Sequence, residues 1–253
     1  MWYNKVSYVS KDRAPSWSIG VNNIKSGEIV SMKDYMWAYV GLIVLLLVIV
    51  GIILLVRYRK KRIERLGVKG EKMVSKILKP WALLQNYKVI NDLYLPLYDK
   101  TTQIDHIVIG FFGMIVIETK NMCGEVYGDP KAKEWTYIVG DNKRKMYNPL
   151  LQNQAHIDCI RHCLAKENIY NVTIDNVVVF ANNKVQLYLQ KGDGIVIKRK
   201  QLKKLLRKSR YEKDRDVDID RIYQALMKYS VTDKSRIKQH NDGVKEMAKN
   251  NQK

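Results

Sequence analysis

The chain has 253 residues, 46% of them hydrophobic, and 45 lysines and arginines against 25 acids set a formal net charge of +20. That balance excludes a disordered chain, and 14 glycines with 5 prolines exclude collagen-like or low-complexity sequence. With 3 cysteines a disulfide scaffold is excluded, while the sequence pI of about 9.7 points to an anionic partner, either nucleic acid or an acidic lipid surface.

Residues 1–35 show no clear helix or strand period and too little apolar surface for a core, so a short extracytoplasmic tail is expected; Met32 offers a second start within it. Residues 36–56 carry no charge over 21 positions, which at about 1.5 Å per residue spans the roughly 30 Å hydrocarbon core. Beyond them Arg57, Arg59, Lys60, Lys61, Arg62, Arg65 and Lys69 are opposed only by Glu64, whereas residues 1–35 hold 5 basic and 3 acidic groups. The positive-inside rule then predicts a single-pass protein of the cell membrane, N-terminus outside and everything after Arg57 in the cytoplasm. The apolar run is too long for a cleaved signal and ends directly in basic residues, as an anchor does. Residues 57–65 read as a polybasic collar expected to meet anionic inner-leaflet lipid.

A helix follows over 66–78, with Val74 and Leu78 falling three and seven residues after Glu71, so that Glu71 stands at the start of its buried face. Strands are predicted at 87–92, 103–110, 114–120, 125–127 and 135–139, with Gly, Pro and Asp between them. Asn148-Pro149 supplies an N-cap and a first-turn proline for a helix to Lys166. Further strands are expected at 176–181 and 194–198. Residues 198–210 then hold 8 basic groups and no acid, with Leu202, Leu205 and Leu206 at helical spacing; 217–227 is a second amphipathic helix, and 232–253 is polar enough to fray. The order of helix, antiparallel strands, helix and strand specifies an α/β or α+β domain, with a core at 66–181, an extension bearing the basic helix at 182–209 and a basic helical tail at 210–253.

The strands carrying Gln103-Ile104-Asp105-His106 and Glu118-Thr119-Lys120 are separated only by Phe111, Phe112 and Gly113, which predicts a tight hairpin. A Phe111-Phe112 loop sets Asp105 opposite Glu118, and a Phe112-Gly113 loop sets it opposite Lys120. In both, Asp105, Glu118 and Lys120 share one face, opposed Cβ atoms being about 5 Å apart. Two acids and a lysine buried together are costly without a partner. A divalent cation, Mg²⁺ or Mn²⁺, is such a partner: it takes one or two carboxylates with waters and phosphate oxygens, and it acidifies its water. A lysine two residues past a ligating carboxylate can orient that water or offset charge growing on a phosphate. The group therefore points to metal-assisted phosphodiester hydrolysis.

Asp105 followed by Glu118-x-Lys120 on a hairpin, after a helix with Glu71, resembles the PD-(D/E)xK nuclease core of restriction enzymes and junction resolvases, and more specifically the nuclease-related domain (NERD) family. The resemblance runs through Gly70-Glu71, Asn91-Asp92, Gln103-Ile104-Asp105-His106, Val116-Ile117-Glu118-Thr119-Lys120-Asn121, Gly124, Tyr127-Gly128, Trp135, Asn148-Pro149, Gln152 and Val178-Val179-Phe180. Ile104 stands where the motif's name has proline. The resemblance implies an α/β, restriction-endonuclease-like fold with a mixed central sheet flanked by helices, in which Asp105 and Glu118 bind metal, Lys120 assists the attacking water, Glu71 completes the acidic cluster and Gln152 is the helix glutamine of many relatives. The implied partner is nucleic acid, DNA above all; the alternative is a catalytically silent module that keeps the fold and binds nucleic acid or the membrane surface. Gln152, His156, Cys159 and Cys163 form one helical stripe whose polar end is expected to point at the site. Structural zinc is not expected there, since His162 faces away and no second CxxC or HxxxH pair occurs. Oligomeric state is left open.

Overall fold

The computed structural model describes residues 32–97 and 100–250, so most of the predicted tail, residues 1–31, lies outside the described residues. The chain divides into two compact units, Met1–Arg57 and Tyr58–Lys253. The described part of the first unit is helical and belongs to α1 (Met32–Leu84). Its apolar side chains from Met36 to Val56 stand exposed, and among the described residues α1 alone is long and apolar enough to cross a membrane. An apolar surface of this extent calls for lipid or a protein partner.

α1 starts before the predicted span and absorbs both the collar and the helix predicted over 66–78, because the Arg, Lys, Glu and Leu residues between them are good helix formers. It also continues beyond Pro80 to Leu84. The bond lost at Pro80 is outweighed by burial just after it, where Ala82 is sealed and Trp81 packs on the core.

The second unit is built on a five-stranded mixed sheet, ordered β1-β2-β3-β7-β9. Here β1 (Lys88–Leu97), β2 (Lys100–Gly110) and β3 (Gly113–Lys120) are antiparallel, while β7 (Ile174–Phe180) and β9 (Ile195–Lys198) run parallel to β3. On one face Val74 and Leu78 of α1 and Leu202, Leu205 and Leu206 of α3 (Arg199–Leu206) cover Val108, Ile115, Ile117, Val177 and Val179. On the other, α2 (Pro149–Lys166) and α4 (Ile219–Lys228) cover Ile107, Ile109, Met114 and Val116. Burial on both faces is why 114–117 reads as an unbroken apolar run. Asn148 caps α2 as predicted, accepting the Leu150 N–H at 2.9 Å, and its own amide donates to the carbonyls of Pro130 and Ala132.

The mixed central sheet flanked by helices is as expected, but the described residues form a second sheet beside it. β4 (Glu125–Gly128), β5 (Glu134–Val139), β6 (Asn142–Tyr147) and β8 (Gln186–Leu189) form a second sheet, ordered β6-β5-β4-β8, fed by the chain as it leaves β3 and β7. The Gln186 N–H donates to the Gly124 carbonyl at 2.8 Å where the two exits meet. Trp135, 1% exposed, fills the junction with Val126, Leu150, Val178 and Phe180. Within the tail expected to fray, Lys234–Asn250 form the helix α5, where His240 Nδ1 lies 2.6 Å from the Thr101 carbonyl and the His240 ring is set edge-on to Tyr94.

Candidate active site

The β2–β3 turn is Phe111-Phe112, since Gly110 pairs with Gly113 and the ladder runs to His106↔Ile117. The first of the two predicted registers therefore holds, and the next position along sets Asp105 towards Glu118. Asp105 has no rung of its own. In the β1–β2 ladder the pairs run Asn91↔His106 and Leu93↔Ile104, and none joins Asp92 to Asp105. Asp92 there adopts φ of 56°, the left-handed region that Asp tolerates better than most residues. The Asp105 carboxylate turns into the gap on its other side, where Oδ2 accepts the Thr119 N–H at 2.7 Å.

From β3, Glu118 and Lys120 point towards α2, as the period-two rule requires. Lys120 Nζ donates to Glu118 Oε1 at 2.6 Å and to Gln152 Oε1 at 2.9 Å. Glu118 Oε2 is buried without a hydrogen bond, 3.4 Å from His156 Nε2. On the far side of that ring, Nδ1 sits 2.8 Å from the Thr102 hydroxyl. A Thr102 proton given to Nδ1 leaves the His156 Nε2–H directed at Glu118, so Thr102 and His156 steady one carboxylate oxygen while Lys120 steadies the other. With 21% of the Lys120 side chain exposed against 5% of Glu118, the lysine is the group an incoming molecule meets.

Glu71 approaches from α1, which lies unusually close because of Gly70. A Cβ at Gly70 would stand 2.6 Å from the Asn121 Cβ and 3.3 Å from the Ala181 Cβ, at the exits of β3 and β7. Glu71 is in electrostatic reach of Asp92, Glu118 and Lys120. Its carboxyl is raised above the ordinary range, by burial first and then by the charges of Asp92 and Glu118. Asp105 is raised well above its usual range by burial, with Glu118 and Glu71 adding to it against the Thr119 N–H. Burial pushes Glu118 the same way, but Lys120 and His156 outweigh it and hold the carboxylate down at about 2. Burial acts to lower Lys120, yet Glu118, Asp105 and Glu71 outweigh it and hold the ammonium above the ordinary lysine range. At neutral pH it is a cation and a donor, not a base.

The structure thus brings together Glu118, Lys120 and Gln152 by hydrogen bonds and Asp105 and Glu71 by proximity of charge. It adds Thr102, which no motif singled out, and Asp92 and His106, which the motifs contained without giving them a place at the site. His106 is buried, and its Nδ1–H donates to Asn91 Oδ1 at 2.7 Å. Burial outweighs the pull of Glu118 and lowers this imidazole to about 4 from an ordinary 6.5. An unfolded chain takes up that proton more readily than the folded one, so the stability it carries is full above pH 6.5 and is lost as pH falls towards 4. Over that window wild type is expected to lose about 3 kcal/mol relative to His106→Gln, at about 1.4 kcal/mol per unit of pKa. Urea unfolding of both proteins across the window measures the difference, and parallel curves would disprove it.

No group of three or more His, Cys, Asp or Glu side chains among the described residues forms a ready-made metal cage. What the site does offer is a pair of carboxylates, one with a buried oxygen that makes no hydrogen bond. That donor set suits a hard cation that completes its shell with water and phosphate oxygens, and suits a thiophilic metal poorly.

Residues 66–181 match the nuclease-related domain family. Over 106 residues the chain is 39% identical to an uncharacterized protein of Bacillus anthracis, an alignment covering 40% of this chain and 48% of that one, so the chain spans about half the length of that relative. No solved structure matches the chain.

Proposed function

We propose that the Tyr58–Lys253 unit is a restriction-endonuclease-like domain that hydrolyses phosphodiester bonds of nucleic acid, DNA above all, with Mg²⁺ or Mn²⁺. The observation that carries this reading is the Lys120 ammonium held between Glu118 and Gln152, beside Asp105 and a Glu118 oxygen without a hydrogen bond. The match of residues 66–181 to the nuclease-related domain family supports it. Asp105 and Glu118 would hold the ion, with Glu71 adding negative charge from α1. When bound, such an ion lowers the pKa of a water and polarises the phosphate. The chain's own groups do the rest. Lys120, cationic and partly open to solvent, offsets charge growing on a phosphate oxygen, Gln152 fixes the Lys120 ammonium, and Thr102 with His156 orients Glu118.

The uncharged span at 36–56 and the basic flank after it support a single-pass anchor in the cell membrane, N-terminus outside, with the domain cytoplasmic and the collar at 57–65 against anionic lipid. Tethering would confine the chemistry to nucleic acid near the inner face of that membrane.

The test is cleavage of labelled DNA and RNA by the full chain in neutral detergent, with Mg²⁺ or Mn²⁺ and with chelator. Metal-dependent cleavage is expected, reduced at least about 100-fold in Glu118→Gln. Equal rates in both proteins would refute the mechanism. A second reading, a binding module that has lost turnover, is favoured by one feature: Lys120 already neutralises Glu118 without any ion. It predicts no cleavage by wild type and nucleic-acid binding that survives Asp105→Ala.

A further inference from the structure

Two helices cover the same face of the five-stranded sheet, α1 burying Val74 and Leu78 and α3 burying Leu202, Leu205 and Leu206 in one cluster. Their outward sides are exposed Lys69, Lys72, Lys76 and Lys79 on α1 and Lys200, Lys203 and Lys204 on α3, with exposed Arg207 at the C-cap of α3. α3 contains no acid, and between Lys69 and Lys79 the one acid is Glu71, which belongs to the site. None of these eight cations forms an ion pair among the described residues. Like charges this dense repel one another, and an anionic polymer relieves that repulsion.

One end of this surface abuts the acidic centre. Gly70, between Lys69 and Glu71, packs on Asn121 and Ala181. The Ala181 N–H donates to the Lys120 carbonyl at 2.8 Å, and the Ala181 carbonyl accepts from Arg199 Nε, at the head of α3, at 3.0 Å. The exits of β3 and β7 therefore join the basic face to the residues that carry Glu71 and Lys120. A lipid surface would use the outer lysines without needing that junction. A polynucleotide needs it, because a buried acidic pocket repels phosphate unless the neighbouring phosphates are held.

We propose that the α1–α3 face is a phosphate track that holds the backbone of nucleic acid and leads it to the Glu71, Asp105, Glu118 and Lys120 centre. The proposal rests on the nuclease-related reading above, though binding along the track does not require turnover. Each phosphate neutralised adds about −0.9 to the slope of log K against log salt for duplex DNA.

The experiment measures fluorescence anisotropy of a short labelled duplex with the full chain in neutral detergent, from about 50 to about 200 mM KCl. It compares wild type, Asp105→Ala and the combined variant Lys200→Gln, Lys203→Gln, Lys204→Gln, Arg207→Gln, whose positions are exposed; circular dichroism checks the fold. The combined variant is expected to bind at least about tenfold more weakly at the lower salt, with a slope shallower by about 3 to 4, while Asp105→Ala keeps the wild-type slope. Unchanged affinity and slope in the combined variant overturn the track. So does a wild type that fails to bind the duplex, or a combined variant that loses only its attraction to phosphatidylserine vesicles. Intact salt-dependent binding without cleavage would sink hydrolysis and leave the track, whereas cleavage with an unaltered slope would sink the track and leave hydrolysis.

Discussion

Lys120→Ala is expected to lower metal-dependent cleavage by about 10²–10³-fold, the scale of losing one positioned donor to a developing oxyanion. Lys120 is the cation inside the cluster, and its two hydrogen bonds, to Glu118 Oε1 and Gln152 Oε1, leave its third proton for an incoming group. Lys120→Arg is expected to fail as well, because a planar fork cannot occupy the place of a compact ammonium between those two oxygens. Gln152→Ala, which loosens the lysine without removing it, is expected to cost only about tenfold. Removing Lys120 also leaves the buried Glu118 without its ammonium partner, which destabilises the fold by itself. Rates are therefore compared at a temperature where circular dichroism shows each variant folded. Wild-type rates in folded Lys120→Ala would eliminate the assigned role.

Trp135→Ala is expected to destabilise the domain by about 3–5 kcal/mol, the range for truncating a sealed aromatic. The ring is 1% exposed, its Nε1–H donates to the Asp129 carbonyl at 2.9 Å, and Gly128 lies against its face, where a Cβ would stand 2.6 Å from Cε2. Through Val178, Phe180 and Leu150 it ties the second sheet to β7 and α2. For a domain of this size such a loss corresponds to a fall in melting temperature on the order of 10 °C. Thermal denaturation followed by circular dichroism measures it, and a shift of only a degree or two would show that the sheets are joined elsewhere.

Much of this molecule was legible because its signals are local. The apolar run, the Asn148-Pro149 cap and the alternation through β2 and β3 each name an element directly, and the three residues between the strands left only two hairpin registers. The second sheet was half legible: the strands expected at 125–127 and 135–139 are its β4 and β5, whereas β6 and β8 were missed. β6 contains Lys143, Arg144 and Lys145 in succession, a charged edge strand that looks like a loop, and β8 is four residues long and pairs in parallel with a strand some 60 residues earlier. Within the site, Glu71, Asp105, Glu118, Lys120 and Gln152 could be named from motif and period. Thr102 could not, since its part depends on a histidine 54 positions away, and Asp92, though within a motif, gave no sign of its place beside Glu71, since a left-handed aspartate inside a strand leaves no trace in hydropathy.

The unpaired place of Asp105 sets a limit on how stable this sheet can become. Between Asn91↔His106 and Leu93↔Ile104 a rung is missing, and on the other side a carboxylate stands in for a peptide group. The missing rung forgoes about 1 kcal/mol of backbone bonding, and the Thr119 N–H is satisfied only as long as the carboxylate stays in place. Selection for a firmer fold alone would close both gaps and draw Asp105 into the ladder, silencing its carboxylate. A chain that keeps them open is held short of its own most stable form, and thermostable variants chosen without an activity screen would be the first to lose the site.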